Sequence, residues 1–477
     1  MIADLVIHHG RVVSADATFA ASVAIKDEKI LAVGSADAMP KALETLDASG
    51  LHLLPGAIDV HVHFRDPGYP HKEDWESGTA AAAFGGVTTV FDMPNTIPPT
   101  GTAEILAQKH AIARAKAYVD YGLYGLLGED TIEHVLALVD GGVIGFKLYM
   151  GNTFGKIASP STGAMLEAFE VVAPTGKRIS LHAETNSIME RRQSRLTEAG
   201  RSDPLAHLAS RPAVVAVEAV SRAAILAEWT GARIHVLHIS SAAELAPLAA
   251  AKLRGVDITG ETCPHYLLLS ADDYARLAGV IRVNPPVRER ENQAPLWNAL
   301  ERGAIDMIAT DHAPHARDEK TRNDIWSVDC GFPGVESQMP LMLTEIAAGR
   351  ASINDYVRWS AVNPAKAWGL YPRKGVIQPG AEADLALVDL TRRWTLRDKE
   401  LQSRSKISPW DGREVCGLPI HTLVRGRFAM RNRTLVPQTK GWGRSVHVIQ
   451  TMPPADVKNP DQTLQAVLKM PADGLHR

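Results

Sequence analysis

The sequence is poor in residue types whose abundance would define a class of protein. It has only three cysteines among 477 residues, too few and too far apart for a disulfide framework. None belongs to a CxxC pair, which argues against a cysteine-ligated structural metal. We therefore expect a protein of a reducing compartment, the cytoplasm.

Long apolar runs and strong net charge are also missing. No uninterrupted apolar stretch approaches the ~18 residues of a membrane span, and MIADLVIHHG lacks the basic and apolar regions of a signal peptide. The formal net charge is −3, without the basic field that binds nucleic acid or anionic membranes. The expected partner is a small molecule, with no nucleic acid and no membrane.

The middle of the chain, residues 55–370, alternates short β-branched runs with longer amphipathic stretches. Eight of these runs are candidate strands: 58–63, 87–93, 121–125, 145–149, 178–184, 234–240, 258–263 and 306–312. Eight consecutive βα units predict an α/β fold with a parallel (β/α)8 barrel of the TIM type. An open doubly wound sheet is the alternative.

The two ends of the chain have a different pattern. Residues 3–34, 375–390 and 419–435 alternate apolar and polar residues, as half-buried strands do. Neither end alone has enough strands for a core. We therefore predict one small β-sandwich domain from residues 1–54 and 375–440, beside a barrel domain of residues 55–370. Residues 441–477 are predicted to form an extended tail.

Two histidines, His61 and His63, stand two residues apart in the first predicted barrel strand. Residues i and i+2 of a strand point to the same face. At the C-terminal end of a barrel strand, that face looks into the mouth where such barrels carry their active sites. The pair alone is a weak motif, because a chain with 18 histidines contains such spacings by chance.

Four further polar residues stand at the ends of later predicted strands. They are Lys147, His182, His238 and Asp311, on the fourth, fifth, sixth and eighth strands. Taken singly, each has an ordinary structural explanation, such as a hydrogen-bonded histidine or a solvated lysine. Their convergence on one barrel mouth instead predicts a centre of two divalent metal ions. Zinc suits these ligands, with manganese or cobalt as alternatives.

Lys147 lies between Phe146 and Leu148 in a strand that should be buried, where an unpaired ammonium is costly. One explanation is a salt bridge to a barrel carboxylate. The other is a neutral amine that reacts with carbon dioxide, because the resulting carbamate can bridge two metal ions ~3.5–4 Å apart. We predict that Lys147 is modified in this way, to N6-carboxylysine.

Together these motifs resemble those of the cyclic amidohydrolases: dihydroorotase, allantoinase and the hydantoinase/dihydropyrimidinase group. The resemblance covers most of residues 1–440. It implies that His61, His63 and Asp311 bind one metal, that His182 and His238 bind the other, and that Lys147 bridges them. It also implies a homodimer or homotetramer, with Asp311 as the catalytic residue that carries a proton from water to the leaving ring nitrogen.

Within that group the sequence is most similar to dihydroorotase. The matching segments are HVHFRDPG (61–68), HKEDWESGT (71–79), MPNT (93–96), VNPPVR (283–288) and GFPGVES (331–337). The expected reaction is the reversible opening of dihydroorotate to N-carbamoyl-aspartate, a step of pyrimidine biosynthesis.

The same similarity implies a set of substrate contacts. Arg65, Asn95 and His315 would hold the substrate carboxylate, while Asn284 and the backbone near Gly334 would bind the ring. A guanidinium fork can grip a carboxylate with two hydrogen bonds, which agrees with this role for Arg65. The alternative for Arg65 is a salt bridge to a neighbouring acid.

Two other functions stay open at the level of sequence. One is the same chemistry on allantoin, a hydantoin or a dihydropyrimidine, since residues 406–426 are as similar to allantoinases as to dihydroorotases. The other is a non-catalytic assembly partner, which the presence of all six metal-ligand positions disfavours. His265, in ETCPHYLL, is either near the substrate or a structural hydrogen-bonding residue.

Overall fold

The computed structural model describes residues 2–155 and 157–446. The strands are β1 Ala3–Val13, β2 Thr18–Lys26, β3 Lys29–Gly34, β4 Ala42–Asp47, β5 His52–Pro55, β6 Ala57–Val62, β7 Val87–Asp92, β8 Asp120–Leu127, β9 Gly145–Tyr149, β10 Arg178–His182, β11 Arg233–Val236, β12 Ile258–Thr262, β13 Met307–Ile308, β14 Leu385–Thr395, β15 Glu414–Val424, β16 Arg427–Arg431 and β17 Thr434–Leu435. The α-helices are α1 Trp75–Phe84, α2 Ala103–Lys116, α3 Val135–Asp140, α4 Thr162–Val172, α5 Asn186–Glu198, α6 Pro204–Ser210, α7 Val214–Thr230, α8 Leu245–Leu253, α9 Pro264–Leu268, α10 Tyr274–Leu277, α11 Gln293–Glu301, α12 Arg317–Lys320, α13 Gln338–Ala347, α14 Ile353–Val357 and α15 Asn363–Ala367. Among these residues, no helix combines the length and the apolar character that a bilayer span requires.

Strands β6 to β13 form a parallel barrel in sequence order. Its first and last strands meet where Val62 forms a parallel bridge with His312. There the His63 N–H donates to the His312 carbonyl at 2.7 Å, and the His312 N–H donates to the His61 carbonyl at 3.3 Å. Each of the eight predicted strands corresponds to one barrel strand. The predicted (β/α)8 barrel is therefore confirmed, and the open doubly wound sheet is not observed.

Local signals in the sequence explain where the barrel helices begin and end. Asp74 caps α1, because its carboxylate accepts the Ser77 N–H at 2.8 Å while the Ser77 hydroxyl reaches back to the Asp74 N–H. Helix α7 ends at Gly231, whose φ of 72° is a conformation that glycine adopts without strain. The helices pack alanine-rich faces on strands that are buried on both sides, as parallel sheets require.

Both ends of the chain contribute to one nine-stranded sheet outside the barrel. Its order is β17-β16-β15-β14-β5-β1-β2-β3, with β4 beside β1. The antiparallel pairing of β5 with β14 joins the N-terminal strands to the C-terminal ones. This sheet has its own apolar core. The predicted second β-rich unit is confirmed as a separate sheet, while the proposed domain boundaries stay a prediction.

The start of the predicted tail packs against both units. The Trp442 indole N–H donates to the Val424 carbonyl at 2.8 Å, and the Gly443 N–H donates to the Ala117 carbonyl at 2.9 Å. Val446 is buried against the barrel. Residues 447–477, the remainder of that predicted tail, lie outside the described residues.

Candidate active site

The six predicted metal ligands meet at the C-terminal end of the barrel. His61 and Lys147 lie within β6 and β9, His182 ends β10, and His238 and Asp311 follow β11 and β13. His63 directly follows β6. All six line one cavity, and three of the five predicted substrate contacts line it too: Arg65, Asn95 and Asn284. Side chains distant in sequence are thus brought together because parallel barrel strands end at one face.

One half of the site is built by His61, His63 and Asp311. The Nε2 atoms of both histidines lie 3.1 Å from Asp311 Oδ1. One ligand atom from each residue lies within 4.8 Å of the others, a spacing that suits a shared metal ion. Asp311 holds a φ of 48°, an uncommon conformation for a residue other than glycine, and such strain is concentrated at functional sites.

The other half is built by His182, His238 and Lys147. His182 Nδ1 lies 2.9 Å from His238 Nε2. The Lys147 Nζ lies 4.7 Å from the centre of the Tyr149 ring. The rings of His61 and His238 are 5.3 Å apart, so the two halves are adjacent. His238 also holds a positive φ, of 40°.

The outer nitrogens of three of these histidines have fixed hydrogen-bond partners. His61 Nδ1 lies 2.7 Å from Glu261 Oε1, and His182 Nε2 lies 3.0 Å from Glu184 Oε2. His63 Nδ1 lies 2.7 Å from Asn95 Oδ1. An acceptor on the outer nitrogen leaves the inner nitrogen with a lone pair directed at the site, the usual arrangement behind metal-binding histidines.

Burial determines the charge state of the site. It lowers the pKa of all four histidines, so these imidazoles are neutral near neutral pH. Burial also lowers the pKa of Lys147 to about 7, against the opposing effect of Asp311 and Glu261. A substantial fraction of the Lys147 side chain is then a neutral amine, the form that the carbamate requires.

These residues fit a pair of divalent metal ions. Four neutral imidazoles, one carboxylate and one neutral amine converge, and the outer acceptors hold the rings in orientation. A packed apolar interior would not place so many polar side chains at one point.

Within the part of the chain that the structure describes, only some of the predicted substrate contacts face the cavity with free polar atoms. The Arg65 Nη1 and Asn284 Oδ1 atoms are buried without a hydrogen-bond partner among the described residues. Asn95 is instead engaged with His63. His315 lies behind Arg65, with its Nε2 3.2 Å from Arg65 Nη2, and the Gly334 N–H donates to His312 Nδ1 at 3.1 Å. Neither His315 nor Gly334 lines the cavity.

Three functional candidates were not predicted from the sequence. Glu261 accepts from both His61 and His235, and Glu184 supports His182. Tyr149 lines the cavity, and its hydroxyl has no partner among the described residues. The signal for Tyr149 was its place two residues after Lys147, on the same face of β9. His265 is buried and does not line the cavity, and its Nε2 has no hydrogen-bond partner among the residues that the structure describes.

A barrel with this histidine, lysine and aspartate set at its mouth defines the protein as a barrel hydrolase with a candidate metal centre. Residues 52–429 match the amidohydrolase family. The chain belongs to that family.

The chain is similar over most of its length to hydantoinases and allantoinases. It is 34% identical to an L-hydantoinase of Paenarthrobacter aurescens over 93% of this chain and 98% of that protein. It is 37% identical to an allantoinase of Rubrobacter xylanophilus, over 92% and 96%. The solved structure of the L-hydantoinase (dihydropyrimidinase) from Arthrobacter aurescens superposes with a TM-score of 0.91 at 33% identity, covering 94% of this chain and all of that one. The protein is accordingly a hydrolase of carbon–nitrogen bonds in cyclic amides. These relatives support the allantoinase/hydantoinase alternative better than the predicted dihydroorotase.

Proposed function

We propose that the protein opens a five- or six-membered ring amide of the allantoin, hydantoin or dihydropyrimidine type, with two divalent metal ions, zinc first among them. The observation that carries the proposal is the convergence of four neutral imidazoles, Lys147 and Asp311 at the barrel mouth. The names of the similar enzymes supply the class of ring.

Each half of the site would hold one ion. His61, His63 and Asp311 would bind the first, His182 and His238 the second, with carboxylated Lys147 between them. Divalent ions at such a site make water more acidic and polarise a carbonyl group. Asp311 would take the proton released by water and deliver it to the leaving ring nitrogen. Burial raises the pKa of the Asp311 carboxyl. A raised pKa helps this carboxyl to hold the proton between its uptake from water and its delivery to the ring nitrogen.

The unpartnered atoms of the cavity support a ring amide as substrate. Within the described part of the chain, Arg65 Nη1 and the Tyr149 hydroxyl are donors without acceptors, and Asn284 Oδ1 is an acceptor without a donor. A buried polar group without a partner costs about 1–3 kcal/mol, a penalty that a bound ligand can remove. The edge of a cyclic amide offers both carbonyl oxygens and N–H groups. The roles of Asn95, His315 and Gly334 as direct substrate contacts stay predictions.

The test is a turnover panel on zinc-loaded protein with hydantoin, allantoin, dihydrouracil and dihydroorotate. We expect hydrolysis of at least one ring, with loss of turnover in the Asp311→Asn variant. Absence of turnover on all four rings, in protein shown to hold zinc, would contradict the proposal.

Dihydroorotate is a second candidate, because of Arg65. Its guanidinium is buried, faces the cavity and makes no ion pair with a described residue. A neutral ring leaves that charge uncompensated, whereas the dihydroorotate carboxylate would pair with it. Phe154 lies over the guanidinium, with its ring centre 4.6 Å from the Arg65 Cζ.

An Arg65→Gln variant tests this candidate. We expect its kcat/KM for dihydroorotate to fall, because about 2–5 kcal/mol of transition-state binding is lost. Any turnover of neutral rings should be retained. Equal loss on all rings would assign Arg65 a structural role, and unchanged dihydroorotate turnover would exclude the carboxylate contact.

A further inference from the structure

A cavity of about 480 Å³ lies where the terminal sheet meets the barrel, outside the barrel mouth. Its apolar surface comes from Leu396, Leu401 and Leu418, with Phe84 on the barrel side. Trp394 lines it as well and is 38% exposed. Small-molecule sites have this size and this mixture of an apolar floor with a few polar groups.

The polar groups of this cavity are mainly cationic. Arg392 and Arg397 are exposed, line the cavity and make no ion pair with a described residue. Arg433 is held by the Phe84 carbonyl at 3.0 Å and the Pro419 carbonyl at 3.3 Å. The acids that line the cavity are Glu336 and Glu400. Burial raises the pKa of Glu336 to about 7, which weakens its negative charge near neutral pH.

This lining selects a ligand with an apolar body and an anionic end. Planar guanidinium groups pair well with carboxylates, and tryptophan and phenylalanine stack on aromatic rings. A bare inorganic anion would make no apolar contact with the leucine side chains of the cavity. A neutral aromatic compound would not pair with the arginines.

One wall of the cavity connects to the candidate active site through hydrogen bonds. The Gln402 N–H donates to Glu336 Oε2 at 2.7 Å, and the neighbouring Ser403 hydroxyl donates to Glu73 Oε2 at 2.5 Å. The same Glu73 oxygen lies 3.2 Å from His312 Nε2. His312 is the residue whose backbone closes the barrel against His61 and His63.

A second connection begins at the same glutamate. Glu336 directly follows Gly334 and Val335, whose N–H groups donate to His312 Nδ1 at 3.1 and 3.3 Å. Both routes from the cavity therefore end on His312, which is adjacent to Asp311. A ligand that displaces Glu336 or Gln402 would act on the backbone that positions three of the proposed metal ligands.

We propose that this cavity is a regulatory binding site for an aromatic carboxylate. The bound carboxylate pairs with Arg392 and Arg397, and its ring packs against Trp394 and the leucine floor. Occupancy changes turnover at the barrel mouth through Glu336 and Gln402; this second part rests on the proposed function.

Isothermal titration of the full-length, zinc-loaded protein with phenylacetate tests the site. We expect saturable binding that is weakened about tenfold or more in an Arg392→Gln/Arg397→Gln variant, as loss of a charged pair predicts. An Arg195→Gln/Arg302→Gln variant, which removes two exposed arginines that do not line this cavity, should bind like wild type. Phenylethanol and inorganic phosphate, which lack the charge and the ring respectively, should bind more weakly than phenylacetate.

Equal binding by the two double variants would overturn the site, as would phosphate binding as tightly as phenylacetate. The titration needs no turnover, so it remains decisive even if no ring is hydrolysed. Where turnover is measurable, saturating phenylacetate should change kcat in wild type and not in the Arg392→Gln/Arg397→Gln variant. An unchanged wild-type kcat would overturn the regulatory role.

Discussion

Tyr149 differs from three other buried tyrosines in having no hydrogen-bond acceptor among the described residues. The hydroxyls of Tyr124, Tyr266 and Tyr274 each donate to a backbone carbonyl in the core. Tyr149 instead lines the cavity, two residues from Lys147 on the same strand. Burial raises its pKa well above the ordinary value, so the phenol stays protonated and remains a donor. The Tyr149 hydroxyl is therefore suited to donate a hydrogen bond to a substrate oxygen.

A Tyr149→Phe variant should therefore lose activity without losing stability. Removal of one hydrogen bond to substrate, worth about 0.5–1.5 kcal/mol, should lower kcat/KM by about 2–10-fold. The free energy of unfolding should be unchanged or higher, because no bond within the protein is lost and a buried hydroxyl without a partner among the described residues is removed. Steady-state kinetics and urea unfolding measure the two quantities.

Tyr124→Phe is the matched control. Its hydroxyl donates to the Val60 carbonyl at 3.2 Å, so this variant should lose about 1 kcal/mol of stability while its kcat/KM changes little. If Tyr149→Phe behaves like Tyr124→Phe, the hydroxyl has no role toward substrate.

At the scale of elements, helix α12 contributes to an ionic cluster behind Arg65. The Lys72 Nζ lies 3.0 Å from both Glu319 and Asp329, and 3.1 Å from His315 Nδ1. Burial alone would raise the pKa of Glu319, but hydrogen bonds from His315 and Lys72 outweigh it and lower that pKa to about 2. The cluster joins α12 to the loop that carries Arg65 and supports the guanidinium from behind.

This cluster should make stability depend on pH in acid. The pKa of Glu319 is lower in the folded than in the unfolded chain, so its contribution is complete above about pH 4.5 and is lost as pH falls toward 2. In a Glu319→Gln variant, the loss of unfolding free energy between pH 6 and pH 3 should shrink by about 1–2 kcal/mol. Urea unfolding at the two pH values measures this difference. Glu198→Gln, at an exposed glutamate, should leave it unchanged, and an equal pH dependence in all three proteins would count against the cluster.

The elements were predictable where one physical rule dominates. Strands buried on both faces are mainly apolar, so all eight barrel strands were visible as short, mainly apolar runs, and the strand-end rule placed Lys147 and Asp311 together. The sequence did not indicate the acids that hold the histidine rings, Glu261 and Glu184. Glu261 reads as one polar residue in a short strand, and only the closed barrel shows that it lies against His61. His315 and Gly334 carry motif matches, yet the path of the chain after β13 places them behind the cavity wall.

At the scale of the whole molecule, the terminal sheet and the barrel share a buried ionic contact. Lys374 is 1% exposed, and its Nζ lies 2.7 Å from Asp120 of β8 and 2.5 Å from Asp384, which precedes β14. Arg425 pairs with Asp120 as well, and its guanidinium also donates to the Trp442 carbonyl. Three parts of the chain that are remote in sequence therefore meet at this one point.

A Lys374→Met variant should lose about 3–5 kcal/mol of stability, because it leaves the buried Asp384 carboxylate without its cation. Lys252→Met is the control: Lys252 also bonds a carboxylate, Asp306 at 2.8 Å, but is partly exposed, so it should cost about 1 kcal/mol or less. Both costs are measured by urea unfolding. Equal midpoints for the two variants would show that the sheet and the barrel do not depend on this contact.

Hydrolysis of a ring amide at the barrel mouth requires two metal ions in the function proposed above. The most direct measurement is a zinc titration of metal-free protein, with ring hydrolysis followed at each addition. Under this proposal, we expect activity to be absent without metal and to reach its maximum when two zinc ions are bound per chain. Full activity in metal-free protein, or maximal activity with no more than one bound ion, would contradict it.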